Sequence, residues 1–371
     1  MKSENFSAML NEIREEPDLA RRLLSRREEI TRPFVELLSA HPVKRVYFTG
    51  CGSPLYVSNT LKYAAVKLLG VEASATPAML FQHHDHFNTS VYQPEEMMLI
   101  CPAESGMGHG QVDAAREAKR LGIPVVSTTW NLKGILGRES DLVLAKLPPH
   151  EVALATTKGQ MMALLLLLMC FMDASKAMKR LSQDEYDSYM AALARVPESI
   201  ESAIDRTLAW FERYQDVVMA SPLYRIIGYG ANLGTAEEAA LKFLECHKRP
   251  SLFYELEESL HGPIRSVRKD DVIFLLCTEE GPEKERMLKL HRVMKEYTDY
   301  CFLVQSSRDK ALDPQGIAFD TDNMEFVNTM EFLVPMQVLS YKIAESLGID
   351  VSVSNTLAIK KSMVTSYGMG D

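Results

Sequence analysis

Apolar and polar positions follow two different periods along the chain. Within the first forty residues, apolar side chains recur near a 3.6-residue spacing between Arg and Glu, which predicts amphipathic helices. Farther on, short apolar runs at 46–48 and 97–100 each lead into a glycine-containing turn and then into a helix-like stretch, over residues 54–69 and 111–121. Another run, at 125–126, ends in a polar turn. Strand, turn and helix in this order indicate a parallel sheet covered by helices on both faces.

The same rhythm returns in the second half of the chain. Residues 182–216 are acidic and lack strand-like runs, which predicts a helical connector. Strand candidates follow at Arg225-Ile226-Ile227, 272–276 and 302–304, so we expect two doubly wound, flavodoxin-like α/β domains. The predicted boundaries are an N-terminal helical segment at 1–38, a first domain at 39–181, the connector at 182–216 and a second domain at 217–348. Residues 349–371 are expected to form a C-terminal tail that lies over the functional site.

The amino-acid composition argues against some classes of binding partner. Of the residues 46% are apolar and 25% are charged, with a formal net charge of −9, which is typical of a globular protein and argues against nucleic-acid or anionic-membrane partners. The most apolar run, 161–172, is shorter than the roughly 20 residues that a membrane span needs, so we expect a buried helix there. Six cysteines without a C-x-x-C pair, and no secretory signal at the start, predict reduced thiols and a cytoplasmic protein.

Two turns carry the first candidate chemistry. Gly50-Cys51-Gly52-Ser53 separates a predicted strand from a predicted helix, with Ser53 as the expected N-cap. The turn at 103–110 places glycines at alternate positions, so its backbone is expected to form a concave nest of N–H donors for an anion. If the two turns end adjacent strands, they form a crevice at the carboxyl edge of the sheet, where such folds bind ligands. An ordinary tight turn without a ligand is the alternative for each.

Two other site types are not favoured. The turn at 228–234 is one residue off the dinucleotide fingerprint, and no acidic residue ends a strand about 20 residues beyond the first turn. His83, His84 and His86 form an H-H-x-H run, which is more typical of a solvated loop than of a metal site. We therefore expect neither a metal ion nor a cofactor.

The predicted helix near residue 235 suggests acid–base chemistry. Glu238, Lys242 and Glu245 lie at i, i+4 and i+7 and so share one helix face. A capping box from Thr235 to Glu238 with two surface ion pairs explains the same spacing without function. His261, in an H-G-P turn behind this helix, would pair a general acid with a general base. In the tail, Lys361 follows a segment with little apolar periodicity; it is either a solvated lysine or an amine over the cleft.

Together these motifs resemble the SIS (sugar isomerase) family, in the tandem two-domain form of the fructosamine-6-phosphate deglycases and of the isomerase half of glucosamine-6-phosphate synthase. The segments that carry the likeness are VYFTGCGSPL from residue 46, AESG from 103, RESD from 138, EVALATTK from 151, and EEAALKFLE from 237 followed by HGP at 261–263. The C-G-S-P-L form is especially similar to the deglycases, whereas Lys361 is similar to the tail lysine of the synthase.

The resemblance implies the role of each residue. Glu245 would be the base that moves a proton between C1 and C2. Glu238 and Lys242 would support it, and His261 would act in ring opening or as the acid, contributed across the interface of a homodimer or higher homo-oligomer. The residues expected to bind the sugar phosphate are Gly52, Ser53, Glu104, Ser105 and Thr156.

The departures from the family pattern bear on the substrate. Glu104 would repel a phosphate dianion unless it points away or meets a cation, and Gly108 stands where a Thr often contributes a hydroxyl. Without a cysteine after Met1 or a glutaminase domain, we expect no ammonia production from glutamine. The expected activity is therefore deglycation of a fructosamine 6-phosphate. An aldose–ketose isomerase, an amino-sugar-phosphate deaminase and a non-catalytic sugar-phosphate-binding protein are the alternatives.

Overall fold

The computed structural model describes residues 7–147, 151–354 and 356–368. In that part of the chain the strands are β1 (Arg45–Gly50), β2 (Glu72–Pro77), β3 (Met97–Pro102), β4 (Val125–Thr129), β5 (Leu142–Ala145), β6 (Tyr224–Gly228), β7 (Ser251–Glu255), β8 (Val272–Cys277), β9 (Cys301–Ser306) and β10 (Ile317–Phe319). The helices are α1 (Ala8–Ser25), α2 (Arg27–Ala40), α3 (Ser53–Ala64), α4 (Ala78–Leu80), α5 (His109–Leu121), α6 (Ile135–Glu139), α7 (Lys158–Ala177), α8 (Gln183–Ala220), α9 (Asn232–His247), α10 (Pro282–Tyr297), α11 (Asn328–Ser346) and α12 (Leu357–Ser362).

These elements form two compact units, each built around one sheet. The β1–β5 unit comprises Leu19–Glu151, Lys158–Tyr189 and the residues from Val353 onward. The β6–β10 unit comprises the residues through Asp18, Val152–Thr157 and Met190–Ser352. Both sheets are wholly parallel, as expected for strands joined by helices. The predicted fold class, doubly wound α/β with two sheets, is confirmed.

The β1–β5 sheet has the strand order β2-β1-β3-β4-β5. In its register Val46 lies opposite Met98, and Leu99 lies opposite Val125. Every residue of β3 and β4 is buried because helices cover both faces of the sheet. The predicted buried helix is α7, the one helix in the described residues that is apolar and long enough to cross a membrane; 83% of its most apolar window lies inside the protein. It packs against α2 and α3.

The β6–β10 sheet has the order β10-β9-β8-β6-β7, so both sheets follow the same 2-1-3-4-5 pattern. In this pattern the chain leaves the first strand on one side and returns on the other, which opens a crevice at the carboxyl ends of the first and third strands. In the β6–β10 unit α9 packs against α11 and follows β6 directly. The residues predicted to form a helical connector, 182–216, lie almost entirely in the long helix α8, most of which belongs to the β6–β10 unit.

The six cysteines are free thiols; Cys51 is exposed and the other five are buried. Burial raises the pKa of the Cys101 and Cys301 thiols far above the ordinary thiol value. Buried cysteines of this kind pack as small apolar side chains.

Candidate functional site

The two glycine turns of the β1–β5 unit end neighbouring strands. Turn 1, residues 51–53, follows β1, and turn 2, residues 103–108, follows β3. Because β1 and β3 are parallel neighbours, both turns lie at the carboxyl edge of the sheet, on either side of the point where the strand order reverses. This is the crevice in which open α/β sheets bind ligands.

Turn 1 leads directly into α3. Gly52 is the N-cap, with φ +64°, a conformation that favours glycine, and Pro54 follows in the first turn of the helix. Ser53 begins the helix rather than capping it, so the predicted cap is one residue too late. Its side chain is buried, 6% exposed, and the first turn of α3 contains no acidic residue. This helix end therefore presents a partial positive charge to the crevice.

Gln111, on α5, links the strand ends that lead into the two turns by hydrogen bonds. No sequence pattern predicted this role. The amide nitrogen of Gln111 donates to the carbonyl of Thr49, at 3.2 Å, and to the carbonyl of Pro102. Thr49 is the next-to-last residue of β1, which leads into turn 1, and Pro102 is the last residue of β3, immediately before turn 2. Because the amide is nearly buried, the bonds hold the bases of the two turns at a constant separation. The glutamine stands in the first turn of an amphipathic helix, where no sequence signal distinguishes it from a surface residue.

Turn 2 is less free to receive an anion than its glycines suggest. Gly106 has φ +65°, and a Cβ added to it would lie 3.3 Å from the Thr129 hydroxyl. The N–H of Met107 donates to the Ser105 hydroxyl at 3.3 Å, and the N–H of His109 donates to the carbonyl of Thr365 at 3.3 Å. Two donors of the predicted nest are thus already bonded within the protein.

Glu104, in turn 2, meets a buried cation. Its carboxylate bonds the ammonium group of Lys146, which directly follows β5 and has a side chain only 1% exposed. The ammonium group also donates to the carbonyl of Gly159 at 3.2 Å. Of the two conditions stated for Glu104, pointing away from phosphate or meeting a cation, the second is met. Lys146 could not be identified from the sequence, because strand order alone brings the ends of β3 and β5 to one edge.

The C-terminal tail lies against turn 2. Ser366 forms an antiparallel bridge with Gly108, and the N–H of Tyr367 donates to the carbonyl of Met107 at 2.9 Å. The Tyr367 ring lies 3.9 Å from the ring of His109, centroid to centroid. Its hydroxyl donates to Asp113 at 2.6 Å and accepts from Arg116 at 2.7 Å. Lys361, on α12 of this tail, is exposed.

In the β6–β10 unit, α9 carries a charged triplet whose cation is inaccessible to solvent. The ammonium group of Lys242 lies 2.9 Å from Glu238 and 2.7 Å from Glu245. The side chains of Lys242 and Glu238 have no exposed surface, whereas that of Glu245 is 37% exposed. Burial alone favours the neutral amine, but the two carboxylates outweigh it and raise the pKa of Lys242, so the ammonium stays charged.

The capping-box explanation of this helix is therefore wrong. The helix begins at Asn232, and Thr235 lies inside it, where its hydroxyl donates to the Asn232 side chain at 3.1 Å. Glu238 and Lys242 form a buried pair rather than the surface pair of that explanation. The helix presents a partly exposed carboxylate, Glu245, held by an ammonium group that solvent does not reach.

His261 and Glu245 stand at opposite ends of β7. Glu245 lies in the last turn of α9, just before β7 begins, and His261 follows the strand after a short turn. The strand itself has five residues and is about 16 Å long. His261 is 70% exposed and lies 3.5 Å from Glu257, and in the described residues no hydrogen bond or ion pair joins it to Glu245.

Thr156, the remaining predicted contact, lies in the loop segment Val152–Thr157, which belongs to the β6–β10 unit. The N–H groups of Val152 and Ala153 donate to the carboxylate of Glu12, at 2.5 and 3.2 Å. Thr156 is half-buried. Turn 1 and turn 2 belong to the other unit, so the predicted contacts to sugar phosphate are divided between two units.

Comparison with known proteins identifies the kind of fold. Over 359 residues the chain is 24% identical to a glutamine–fructose-6-phosphate aminotransferase (isomerizing) of Clostridium perfringens, a match covering 94% of the chain and 58% of that protein. The chain thus spans less than two thirds of this curated relative. No protein-family model matches it.

Two solved structures have the same architecture. A protein assigned as a phosphosugar isomerase from Clostridium difficile 630 superposes with a TM-score of 0.83 at 22% identity, covering 96% of the chain and 98% of that structure. The tagatose-6-phosphate ketose/aldose isomerase of Escherichia coli gives 0.74 at 17% identity, covering 95% and 96%. At these identities the likeness establishes the fold alone, which this chain shares with both structures.

Proposed function

We propose that the chain is a phosphosugar-processing enzyme that moves a proton between C1 and C2 of an open-chain sugar, and that it deglycates a fructosamine 6-phosphate. The observation that carries the proposal is the Glu245 carboxylate, which is partly exposed and bonded at 2.7 Å to a fully buried ammonium group. The C-G-S-P-L form of turn 1 favours the deglycase reaction. The aminotransferase and isomerases that the chain resembles act on sugar phosphates by their names.

In the proposed reaction Glu245 removes a C1 proton from the ketoamine while His261 protonates the C2 oxygen, which gives an enaminol. The enaminol is reprotonated at C2 while its nitrogen gives up a proton, which leaves a C1 imine. Water then hydrolyses the imine to an aldose phosphate and a free amine. Lys242 positions Glu245 without touching substrate, since its ammonium group is enclosed by Glu238 and Glu245.

The acid is proposed to come from a second copy of the chain. Within one copy Glu245 precedes β7 and His261 follows it, and no hydrogen bond or ion pair joins the two side chains in the described residues. A homodimer that shares its sites would bring them together, and the exposure of His261 is compatible with an interface position. Ser53, Ser105 and Thr156 are the proposed contacts to the sugar phosphate, which is the small-molecule partner.

The experiment compares Glu245→Gln and His261→Asn with the wild type on a fructosamine 6-phosphate. Glu245→Gln should abolish turnover while leaving sugar-phosphate binding intact, and His261→Asn should slow turnover about 100-fold. Glu296→Gln, which removes an exposed carboxylate of α10 in the same unit, is the matched control and should be unaffected. Near-wild-type turnover by Glu245→Gln ends the proposal.

Mixing the two inactive variants tests the shared site. If His261 acts across a dimer, subunit exchange yields hybrid dimers with one intact site, and activity should return to about a quarter of the wild-type value. Mixtures that stay inactive after subunit exchange contradict the shared site. The role of Glu245 is then decided by the turnover of Glu245→Gln alone.

The second candidate is an aldose–ketose isomerase or an amino-sugar-phosphate deaminase. The fold shared with the tagatose-6-phosphate ketose/aldose isomerase and the tail residue Lys361 favour it. Fructosamine phosphates, fructose 6-phosphate and glucosamine 6-phosphate assayed side by side separate the two reactions by which substrate turns over. Binding of these compounds without turnover of any would instead indicate a non-catalytic binding protein.

A further inference from the structure

Turn 2 places a carboxylate in the crevice of the β1–β5 sheet. Glu104 directly follows β3, and its side chain is 33% exposed. Lys146 directly follows β5, so its ammonium group reaches past the end of β4 to bond Glu104. The ion pair therefore spans the carboxyl edge of three strands. The Lys146 side chain is buried and the Glu104 side chain is partly exposed. A ligand at turn 2 would therefore meet the carboxylate rather than the ammonium group.

The other groups of turn 2 also disfavour a phosphate dianion. The N–H groups of Met107 and His109 already donate to Ser105 and Thr365. The positive charge of Lys146 is paired with the negative charge of Glu104. At an effective dielectric constant near 20, the repulsion between a carboxylate and one phosphate charge about 4 Å away is about as large as the attraction of an ammonium group at the same distance.

We propose that Glu104, fixed in place by Lys146, is a specificity-determining residue that accepts hydrogen bonds from hydroxyl groups of the sugar chain. Turn 2 thereby selects a neutral polyol segment, and the phosphate lies at turn 1. A carboxylate has only acceptor sites, so sugar hydroxyls are matching partners and phosphate oxygens are not. This inference rests on the proposed function and narrows its substrate, because it assigns the two ends of the ligand to different turns.

The test measures binding of two probes that separate the ends of the substrate. Inorganic phosphate represents one end, and glucitol, an acyclic sugar alcohol without phosphate, represents the other. Calorimetry suits phosphate, and ligand-observed NMR suits the weaker glucitol. The proteins are the wild type, Glu104→Gln and Ser53→Ala. The matched control is Glu117→Gln, which removes a carboxylate of α5 from an exposed ion pair with Arg120 in the same unit.

Glu104→Gln should shift the two probes in opposite directions. Inorganic phosphate should bind about tenfold more tightly, since one repulsive charge is gone, and glucitol about tenfold more weakly, since a charged acceptor becomes a neutral one. Ser53→Ala should weaken phosphate binding alone, and Glu117→Gln should change neither affinity. Gln keeps an oxygen that can accept from Lys146, and an unchanged thermal midpoint shows that the variant is folded.

Two outcomes overturn the inference. If Glu104→Gln changes both affinities in the same direction, or changes neither, turn 2 does not discriminate hydroxyl groups from phosphate. The proposed function is then still decided by the Glu245→Gln and His261→Asn experiment. If the wild type binds neither phosphate nor glucitol while folded, the proposed function falls together with the inference.

Discussion

Replacing Lys242 by methionine removes the cation at the centre of the α9 triplet while keeping an unbranched apolar side chain that is one atom shorter. The variant leaves Glu238, which has no exposed surface, as a buried charge without its ammonium partner at 2.9 Å. Glu245 loses its partner too, but its 37% exposure lets water replace most of that interaction. The expected loss of stability therefore comes mainly from Glu238.

The magnitude follows from the geometry. At an effective dielectric constant near 20, two unit charges 2.9 Å apart attract by about 6 kcal/mol. Part of this is offset because the variant no longer desolvates an ammonium group, so the free energy of unfolding should fall by about 3–5 kcal/mol. Glu238 can escape the penalty by binding a proton. The deficit relative to the wild type should therefore be largest at pH 8 and smallest near pH 5.

Fluorescence of Trp210 during urea unfolding reports on the relevant unit. Trp210 is 2% exposed and packs against Phe302, ring centroids 5.1 Å apart, in the β6–β10 unit. The chain has only two tryptophans, so Trp130→Phe in every protein makes Trp210 the single reporter. Converting Glu238 to leucine together with Lys242→Met removes both charges and should recover most of the lost stability.

The matched control is Arg286→Met, which breaks an ion pair with Glu257 in which both side chains are about half exposed. It should cost less than about 1 kcal/mol. The reasoning is refuted if Lys242→Met costs no more than Arg286→Met, if its deficit is the same at pH 5 and pH 8, or if the double variant is no more stable than the single one.

Two further predictions use groups outside this triplet. Glu331, 1% exposed on α11, has its pKa raised from 4.5 to about 7 by burial; the folded protein therefore holds a proton that the unfolded chain releases, and the wild type should lose about 3 kcal/mol of unfolding free energy as pH rises from 4.5 to 7. Glu331→Gln should flatten that slope, and an equal slope in both proteins contradicts the assignment. Tyr367→Phe removes the hydroxyl bonded to Asp113 and Arg116, so trypsin should cleave after Lys361 about fivefold faster. Tyr297→Phe, which removes an exposed hydroxyl 3.4 Å from a carbonyl, is its control, and equal cleavage rates in the two variants would show that the Tyr367 hydroxyl does not fasten the tail.

The strands that sequence patterns predicted are the interior strands of the two sheets. Runs of apolar residues indicated β1, β3, β4, β6, β8 and β9. The four that they did not indicate, β2, β5, β7 and β10, are the edge strands. Interior strands are covered on both faces and flanked on both sides, so nearly all of their residues are buried, and each contains a short apolar run. Edge strands are partly exposed, and β2 and β7 accordingly mix polar with apolar residues. An edge strand lacks the burial on all sides that produces an apolar run, so the sequence pattern does not reveal it.

Helix spacing correctly placed three charged residues on one face of α9, but it did not distinguish a solvated face from a buried one. Spacing is a property of the helix alone, whereas burial depends on what packs against it; here α11 does. The same limit explains the capping box, because Thr235 and Glu238 fit that motif equally well inside a longer helix.

The amino-acid sequence alone determined the α/β class, the interior strands, the positions of both glycine turns and the set of charged residues on α9, because each depends on neighbours within about a dozen positions. Only the tertiary structure decided which of these groups meet. Lys146 reaches Glu104 because the strand order brings the ends of β3 and β5 to one edge. Glu245 and His261 stand apart because β7 runs between them. Contacts made through sheet order join residues far apart in the chain, and no local pattern encodes that order.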